Sequence, residues 1–195
     1  EVAAMGHEMV ETMMGRASVR QYTDEVPSDE VVATIVRAGQ QAPFAYQLGS
    51  VLLSRERGRH PFRAPLYFIV LVDVHRHEVM MARRGWTMVQ NDLSLLLFGI
   101  QDATLMAENM VMAAESLGLG SCFLGMIPYR AQQIIEQYGL PKRVFPLVGL
   151  TMGYPAESPP PRPRRARRAA RAPPPSPLLQ QHAPGHLLGD RLIHQ

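Results

Sequence analysis

The chain has 195 residues, of which 46% are hydrophobic, so it is long enough to form one globular domain with a real core. Its net charge of +3 depends on six arginines between residues 162 and 171, and without them the chain is mildly acidic. The charge distribution therefore argues against a fold that binds nucleic acid as a whole.

One cysteine, Cys122, excludes an internal disulfide framework and a cysteine-based zinc site. We interpret it as a small buried hydrophobic residue, since no charge beside it would stabilise a thiolate. No metal is expected, because neither His75 with His77 nor His182 with His186 has a third ligand placed by the sequence. The absence of a signal-like start and of a long apolar stretch predicts a cytoplasmic protein without a membrane partner.

Five helices are predicted from apolar periodicity and from start or stop residues. Ser28 is expected to cap one of them and Asp102 to cap the longest, while glycines at 15, 118 and 139 are expected to end helices. The predicted helices end at Gly15, begin at Ser28, and span 75–84, 102–117 and 129–138.

Four strands are predicted between these helices. The stretch 66–73 has too few polar positions to alternate, so it is expected to be a central strand covered on both faces. Shorter strands are predicted at 51–53, 121–124 and 144–151. The Met- and Leu-rich stretch from Met80 to Phe98, with Trp86, is expected to form a core or subunit interface, or else a lid over a substrate pocket.

Two arginine motifs lie at opposite ends of this predicted domain: Arg16-Ala17-Ser18-Val19-Arg20 and Pro161-Arg162-Pro163-Arg164. Between them is a glycine-rich segment, 114–125. Guanidinium groups match the oxygens of a phosphate, and glycines let backbone N–H groups approach a flat ring. The three segments together indicate a site for a phosphorylated, planar cofactor.

The sequence resembles the FMN-dependent nitroreductase family, in particular its NADPH-preferring branch related to bacterial flavin reductases. Four segments carry the resemblance in order: Arg-x-Ser-x-Arg-x-Tyr-Thr-Asp-Glu at 16–25, Asp-Ala-x-x-Met-Ala-x-Asn at 102–109, Ala-Ala-Glu-Ser-Leu-Gly-Leu-Gly at 113–120, and Gly-Tyr-Pro-Ala-Glu-x-Pro-x-x-Arg-Pro-Arg at 153–164. The resemblance implies an α+β fold with a central, mainly antiparallel sheet flanked by helices, in an intertwined homodimer. It covers most of residues 10–164.

The resemblance also implies which residues bind FMN. The first motif would hold the phosphate or the flavin edge, a second segment would lie along the ring and offer an N–H to the flavin N5, and a C-terminal arginine pair would clamp the phosphate. A loop would reach the flavin of the other subunit. In this order the residues are Arg16, Ala17, Ser18 and Arg20; Phe123, Leu124, Gly125 and Met126; Arg162 and Arg164; and Pro43, Phe44, Ala45 and Gln47.

The chain departs from the family pattern in two places. Between Val51 and Phe68 it is shorter than usual and lacks the amide or lysine that normally faces the flavin pyrimidine, with Arg57, Arg59 or His60 as possible replacements. Beyond 164, residues 165–195 form a basic, proline- and alanine-rich tail without resemblance to the family, expected to be disordered or laid on the partner subunit.

The function implied is an FMN-dependent NAD(P)H oxidoreductase that reduces nitroaromatics, quinones or free flavin by ping-pong hydride transfer, with no side chain acting as acid or base. Two alternatives stay open: a flavin-sequestering protein without turnover, and a basic-tail interaction protein. Related flavin chemistry is a further option, because fold does not determine chemistry. Taken without the resemblance, Gly118 would be an ordinary helix stop, and Arg16 and Arg20 would be solvated surface charges.

Overall fold

The structure, a computed structural model, describes residues 7–163. Its compact unit ends at Arg162. Arg164 and the tail 165–195 lie outside the described residues, so the expected domain boundary and the conformation of the tail stay predictions. No helix within the described part of the chain is long and apolar enough to cross a membrane.

Within residues 7–163 the structure contains five α-helices and four strands. In chain order they are α1 (His7–Gly15), α2 (Asp29–Gln40), β1 (Gly49–Ser54), β2 (Leu66–Asp73), α3 (His75–Arg83), α4 (Asp92–Ser116), β3 (Gly120–Leu124), α5 (Ala131–Tyr138) and β4 (Val144–Gly153). Short 3-10 turns occupy Arg57–Arg59, Pro61–Arg63 and Ile127–Arg130.

The sheet has the strand order β1-β2-β4-β3, and all its neighbouring strands are antiparallel. Strand β2 lies inside the sheet, and its side chains alternate between two hydrophobic clusters. Phe68, Val70 and Val72 face the cluster that contains α2 and α4, whereas Ile69 and Leu71 face the cluster that contains Ile134 of α5. The predicted α+β fold with a mainly antiparallel sheet flanked by helices is confirmed, as is a central strand covered on both faces.

The end signals of the helices were largely predicted correctly. The Ser28 side chain accepts a hydrogen bond from Val31 N at 3.3 Å and so caps α2. Gly118 follows α4 with a φ of 80°, and Gly139 follows α5 with a φ of 58°, the left-handed conformation that lets a helix stop.

The predicted start of α4 is wrong. The helix begins ten residues earlier than expected, where the Asn91 side chain accepts a hydrogen bond from Ser94 N at 2.9 Å. Asp102 is therefore in the middle of the helix, 3% exposed. The error arose because an aspartate before an apolar run is also a cap signal, and the sequence does not tell a cap from a buried acceptor.

The helix runs through Gly99, which is buried. An added Cβ at Gly99 would lie 2.3 Å from Val72 Cγ1, so the missing side chain is what lets α4 approach β2 this closely.

We predict that Gly99→Ala destabilises the protein by about 1–3 kcal/mol, the range typical of an overpacked core, because Val72 on the sheet has no room to move away. Gly58→Ala is the matched control, since an added Cβ there meets no atom within 4 Å. Urea unfolding at equilibrium measures both, and a Gly99→Ala variant as stable as Gly58→Ala would contradict the prediction.

Candidate functional site

The first arginine motif is docked by backbone hydrogen bonds to two other parts of the chain. Val19 N donates to Ser121 O in β3 at 2.9 Å, and Thr23 N donates to Tyr154 O after β4, also at 2.9 Å. Ser18 forms a parallel bridge with Ser121. The motif thus extends the sheet beside the N-terminal end of β3, and it brings the segment after β4 to the same place.

Tyr22 anchors this arrangement through its hydroxyl group. Its hydroxyl lies 2.7 Å from Val19 O and 2.9 Å from Thr151 Oγ1. Burial raises the pKa of Tyr22, so the phenol keeps its proton and stays available as a donor. The side chain of Glu157 completes the docking, since its Oε1 accepts from Arg20 N at 2.5 Å and from Gln21 N at 3.0 Å.

A cavity of 340 Å³, which we call the arginine cavity, lies where these segments meet. It is lined by α1 and α4 residues, by the glycine turn before β3 and by the segment after β4: Thr12, Gly15, Arg16, Ala17, Val19, Glu115, Gly118, Leu119, Gly120, Pro155, Glu157, Ser158 and Pro159.

Arg16 is the distinctive residue of the arginine cavity. Its Nη1 is buried and makes no hydrogen bond within residues 7–163. The nearest carboxylate oxygen, Glu115 Oε1, lies 4.0 Å away, beyond hydrogen-bond distance. A buried guanidinium nitrogen without a partner is costly, and a phosphate oxygen is the kind of acceptor that would satisfy it. Arg16 therefore fits the phosphate of the FMN that the resemblance implies.

Glu115 faces Arg16 from the last turn of α4. The Ser121 hydroxyl donates to Glu115 Oε1 at 2.6 Å. Burial raises the pKa of Glu115, while the bond from Ser121 and the charge of Arg16 partly oppose that shift and Glu108 adds to it. Glu115 belongs to the segment 113–120, but the sequence alone predicted no role for it.

The segment that is predicted to lie along the flavin ring is at the C-terminal end of β3. Phe123 and Leu124 pack against opposite hydrophobic clusters of the sheet, and Gly125 and Met126 form the exposed turn that follows. No backbone hydrogen bond within the described residues uses the N–H of Gly125 or of Met126. These two donors are free for a ligand.

The C-terminal arginine pair is brought to this region only in part. Pro155, Ser158 and Pro159 line the arginine cavity, but Arg162 is exposed and does not line it. Arg164 lies outside the described residues.

The loop Pro43–Gln47 lies at a different place and lines a second cavity, of 420 Å³, together with Arg76, Asp102 and Met106. Asp102 organises this loop, because its carboxylate accepts from Ala45 N at 2.6 Å, Tyr46 N at 3.0 Å and Leu48 N at 3.0 Å. Gln47 has a φ of 57°, and its carbonyl accepts from Arg76 Nη2. The residues that line this second cavity and those that line the arginine cavity do not overlap.

The residues suggested as replacements in the shortened segment are engaged elsewhere. Both ring nitrogens of the buried His60 are used: Nδ1 donates to Ala64 O, and Nε2 accepts from the Ser54 hydroxyl, each at 2.8 Å. Arg57 binds Asp24, and Arg59 pairs with Glu56. His60 and Arg57 therefore have no free group that could replace the contact to the flavin pyrimidine.

We predict that Glu115→Gln stabilises the protein at neutral pH. Because burial raises the folded-state pKa above the ordinary value, the folded protein holds a proton that the unfolded chain lacks, and stability falls as pH rises through that window. Glutamine keeps an acceptor for Ser121 and carries no charge. Thermal unfolding should give Glu115→Gln a higher melting temperature than wild type at pH 7.5, with the gap closing towards pH 4.5.

The exposed Glu25, in the loop before α2, provides the control. Glu25→Gln should show no such pH-dependent gap. A Glu115→Gln variant that melts below wild type at pH 7.5 would mean that the charge of Glu115 supports Arg16 more than its burial costs.

Comparison with known proteins agrees with this geometry. The family model described as "Nitroreductase family" matches residues 13–59 and 52–154. The "FMN reductase (NADPH)" of Bacillus subtilis is 30% identical over 176 residues, 82% of this chain and 71% of that protein. The "oxygen-insensitive NADPH nitroreductase" of Salmonella typhimurium is 29% identical over 170 residues, 80% of this chain and 69% of that protein.

Among solved structures, the oxidoreductase YcnD of Bacillus subtilis superposes with a TM-score of 0.79 at 30% identity, covering 85% of this chain and 73% of that one. The fold, the order of the motifs and these matches agree, and the chain is a member of the nitroreductase family.

Proposed function

We propose that the chain is an FMN-dependent NAD(P)H oxidoreductase that reduces small aromatic acceptors, namely nitroaromatics, quinones or free flavin. The similar proteins carry names of this kind, among them an FMN reductase that uses NADPH and an NADPH nitroreductase. The observation on this chain that best supports the proposal is Arg16, whose buried Nη1 has no hydrogen-bond partner within residues 7–163 and whose side chain lines a cavity together with three glycines.

In this proposal Arg16 and Ser18 hold the FMN phosphate, and Arg20 supplies a second positive charge towards the same ligand. Charge-assisted hydrogen bonds of this kind contribute about 1.5–3 kcal/mol each before desolvation. Arg162 and Arg164 join them from the segment after β4. The free N–H groups of the turn after β3 face the ring system, and Phe123 and Leu124 support that turn.

When bound, FMN supplies the chemistry, by accepting a hydride from NAD(P)H and passing reducing equivalents to the acceptor. The chain binds and orients the cofactor. We assign no side chain as acid or base. Donor and acceptor use the same exposed ring face in turn, which gives ping-pong kinetics.

A homodimer is the second part of the proposal. Pro43, Phe44 and Gln47 line a cavity that shares no residue with the arginine cavity, and in this proposal their loop contacts the flavin of a second copy of the chain. The region between α3 and the middle of α4 also exposes many large apolar side chains, a composition typical of a subunit interface: Trp86, Val89, Leu93, Leu96 and Leu97 are 38–87% exposed. The cytoplasm is the proposed compartment.

We predict that the purified protein binds FMN, that NADPH or NADH bleaches the bound flavin under argon, and that a quinone or nitroaromatic compound restores its absorbance. Arg16→Gln should raise the dissociation constant of FMN about 10-fold or more, because one charge-assisted bond to phosphate is lost. Arg37→Gln, at an exposed position of α2, is the control and should bind FMN as wild type does.

Three outcomes separate the alternatives. FMN binding with steady acceptor-dependent NAD(P)H oxidation supports the enzyme, and FMN binding without turnover supports the flavin-sequestering alternative. A protein that stays colourless after reconstitution with FMN would rule out both, and would leave the basic-tail interaction protein.

We predict further that sedimentation equilibrium gives the mass of two chains. Leu97→Glu, which places a charge on the apolar surface of α4, should shift the protein to one chain, because an unpaired charge in an apolar interface is costly. Leu117→Glu is the control at another exposed leucine, beyond the end of α4. A single-chain mass for wild type with FMN bound would contradict the dimer.

A further inference from the structure

The segment between β1 and β2, which is shorter here than in the family pattern, is clamped to the first arginine motif. Arg57 makes the clamp: Nε donates to Arg63 O at 2.6 Å, Nη1 to Asp24 Oδ1 at 2.7 Å and Nη2 to Thr23 O at 2.9 Å. One side chain thus ties both ends of the turn 57–63 to the residues that follow the motif.

The turn holds Phe62 in a strained conformation. Phe62 has a φ of 57° and Arg63 a φ of 51°, and the left-handed conformation is unfavourable for a residue other than glycine. Burial of the phenyl ring does not repay that cost, since Phe62 is 41% exposed. The bonds of Arg57 and of the buried His60 hold the strain in place.

The strained turn places the Phe62 ring against Arg20. The Arg20 Cζ lies 5.9 Å from the ring centroid, within the range of a cation–π interaction. Arg20 Nη1 also donates to Ser18 O at 3.2 Å, and Arg20 N is held by Glu157. The Arg20 side chain has no carboxylate partner within residues 7–163. Its guanidinium is therefore held in place, while its charge is left for a ligand.

Arg16 and Arg20 serve different parts of that ligand. Arg16 lines the arginine cavity and faces Glu115, whereas Arg20 does not line that cavity and faces Phe62. Four residues of chain allow at most about 13 Å between the two Cα atoms. A phosphate at Arg16 thus leaves Arg20 beside a more distant part of the same molecule.

We propose that Phe62 is a positioning residue, which directs the Arg20 guanidinium to the ring end of FMN and compensates for the contact missing from the shortened segment. The inference rests on the proposed function, because it takes FMN as the ligand. The residues that the inference concerns lie in the turn 57–63 of this chain.

The test compares FMN with riboflavin, which has the same ring and no phosphate. Fluorescence titration of the apoprotein should give Phe62→Leu a dissociation constant about 3–10-fold higher than wild type for both ligands, by a similar factor. Phe62→Tyr keeps the aromatic face and should bind both as wild type does. Arg16→Gln should weaken FMN and leave riboflavin unchanged.

Arg20→Gln provides a second route to the same answer if Phe62→Leu does not fold, and it should also weaken both ligands by a similar factor. The midpoint potential of bound FMN should fall in Phe62→Leu and in Arg20→Gln, because a positive charge beside the ring favours its reduced form. A merely structural Phe62 would leave that potential unchanged.

If wild type binds FMN, the proposed function stands, and two results would then overturn the inference alone. One is a Phe62→Leu variant that binds both ligands as wild type does. The other is a loss confined to FMN, which would place Arg20 at the phosphate. If wild type binds neither ligand, the proposed function itself fails.

Discussion

The short ladder between the first arginine motif, the N-terminal end of β3 and the segment after β4 is the interaction on which the candidate site depends. Three backbone bonds of 2.9 Å form it: Val19 N to Ser121 O, Thr23 N to Tyr154 O, and Ala156 N to Gln21 O. The bonds join residues more than 100 positions apart in the sequence. Without them neither the arginine cavity nor the separation of Arg16 from Arg20 would exist.

A buried carboxylate, Asp102, and a partly buried one, Glu115, then shape the two candidate binding regions in different ways. Asp102 is surrounded by three backbone N–H groups, which compensate for its burial and fix the loop that lines the second cavity. Glu115 has one hydroxyl donor and a guanidinium 4.0 Å away, so its burial is only partly compensated. The first carboxylate fixes the fold of a loop, and the second, at 4.0 Å, neutralises the charge of Arg16 only in part.

The turn between β1 and β2 supports the first arginine motif through contacts within the protein. Arg57 and His60 do not offer free groups to a cofactor, since their polar atoms are bound within the protein. They hold the turn that carries Phe62 to Arg20. This turn therefore contacts a motif residue that a residue-by-residue transfer from the family pattern did not connect with it.

The sequence by itself determined the fold class, most helix and strand positions, and the motif residues that gather at the candidate site. Those features depend on local periodicity, on glycine stops and on segments such as 16–20 and 113–120, which can be recognised without knowing what lies next to them. Tertiary structure decided the role of Asp102, the unpartnered state of Arg16 and the pairing of Arg20 with Phe62. Each of these is a relation between distant residues, and hydrogen-bond partners, burial and backbone strain exist only once the chain has brought those residues together.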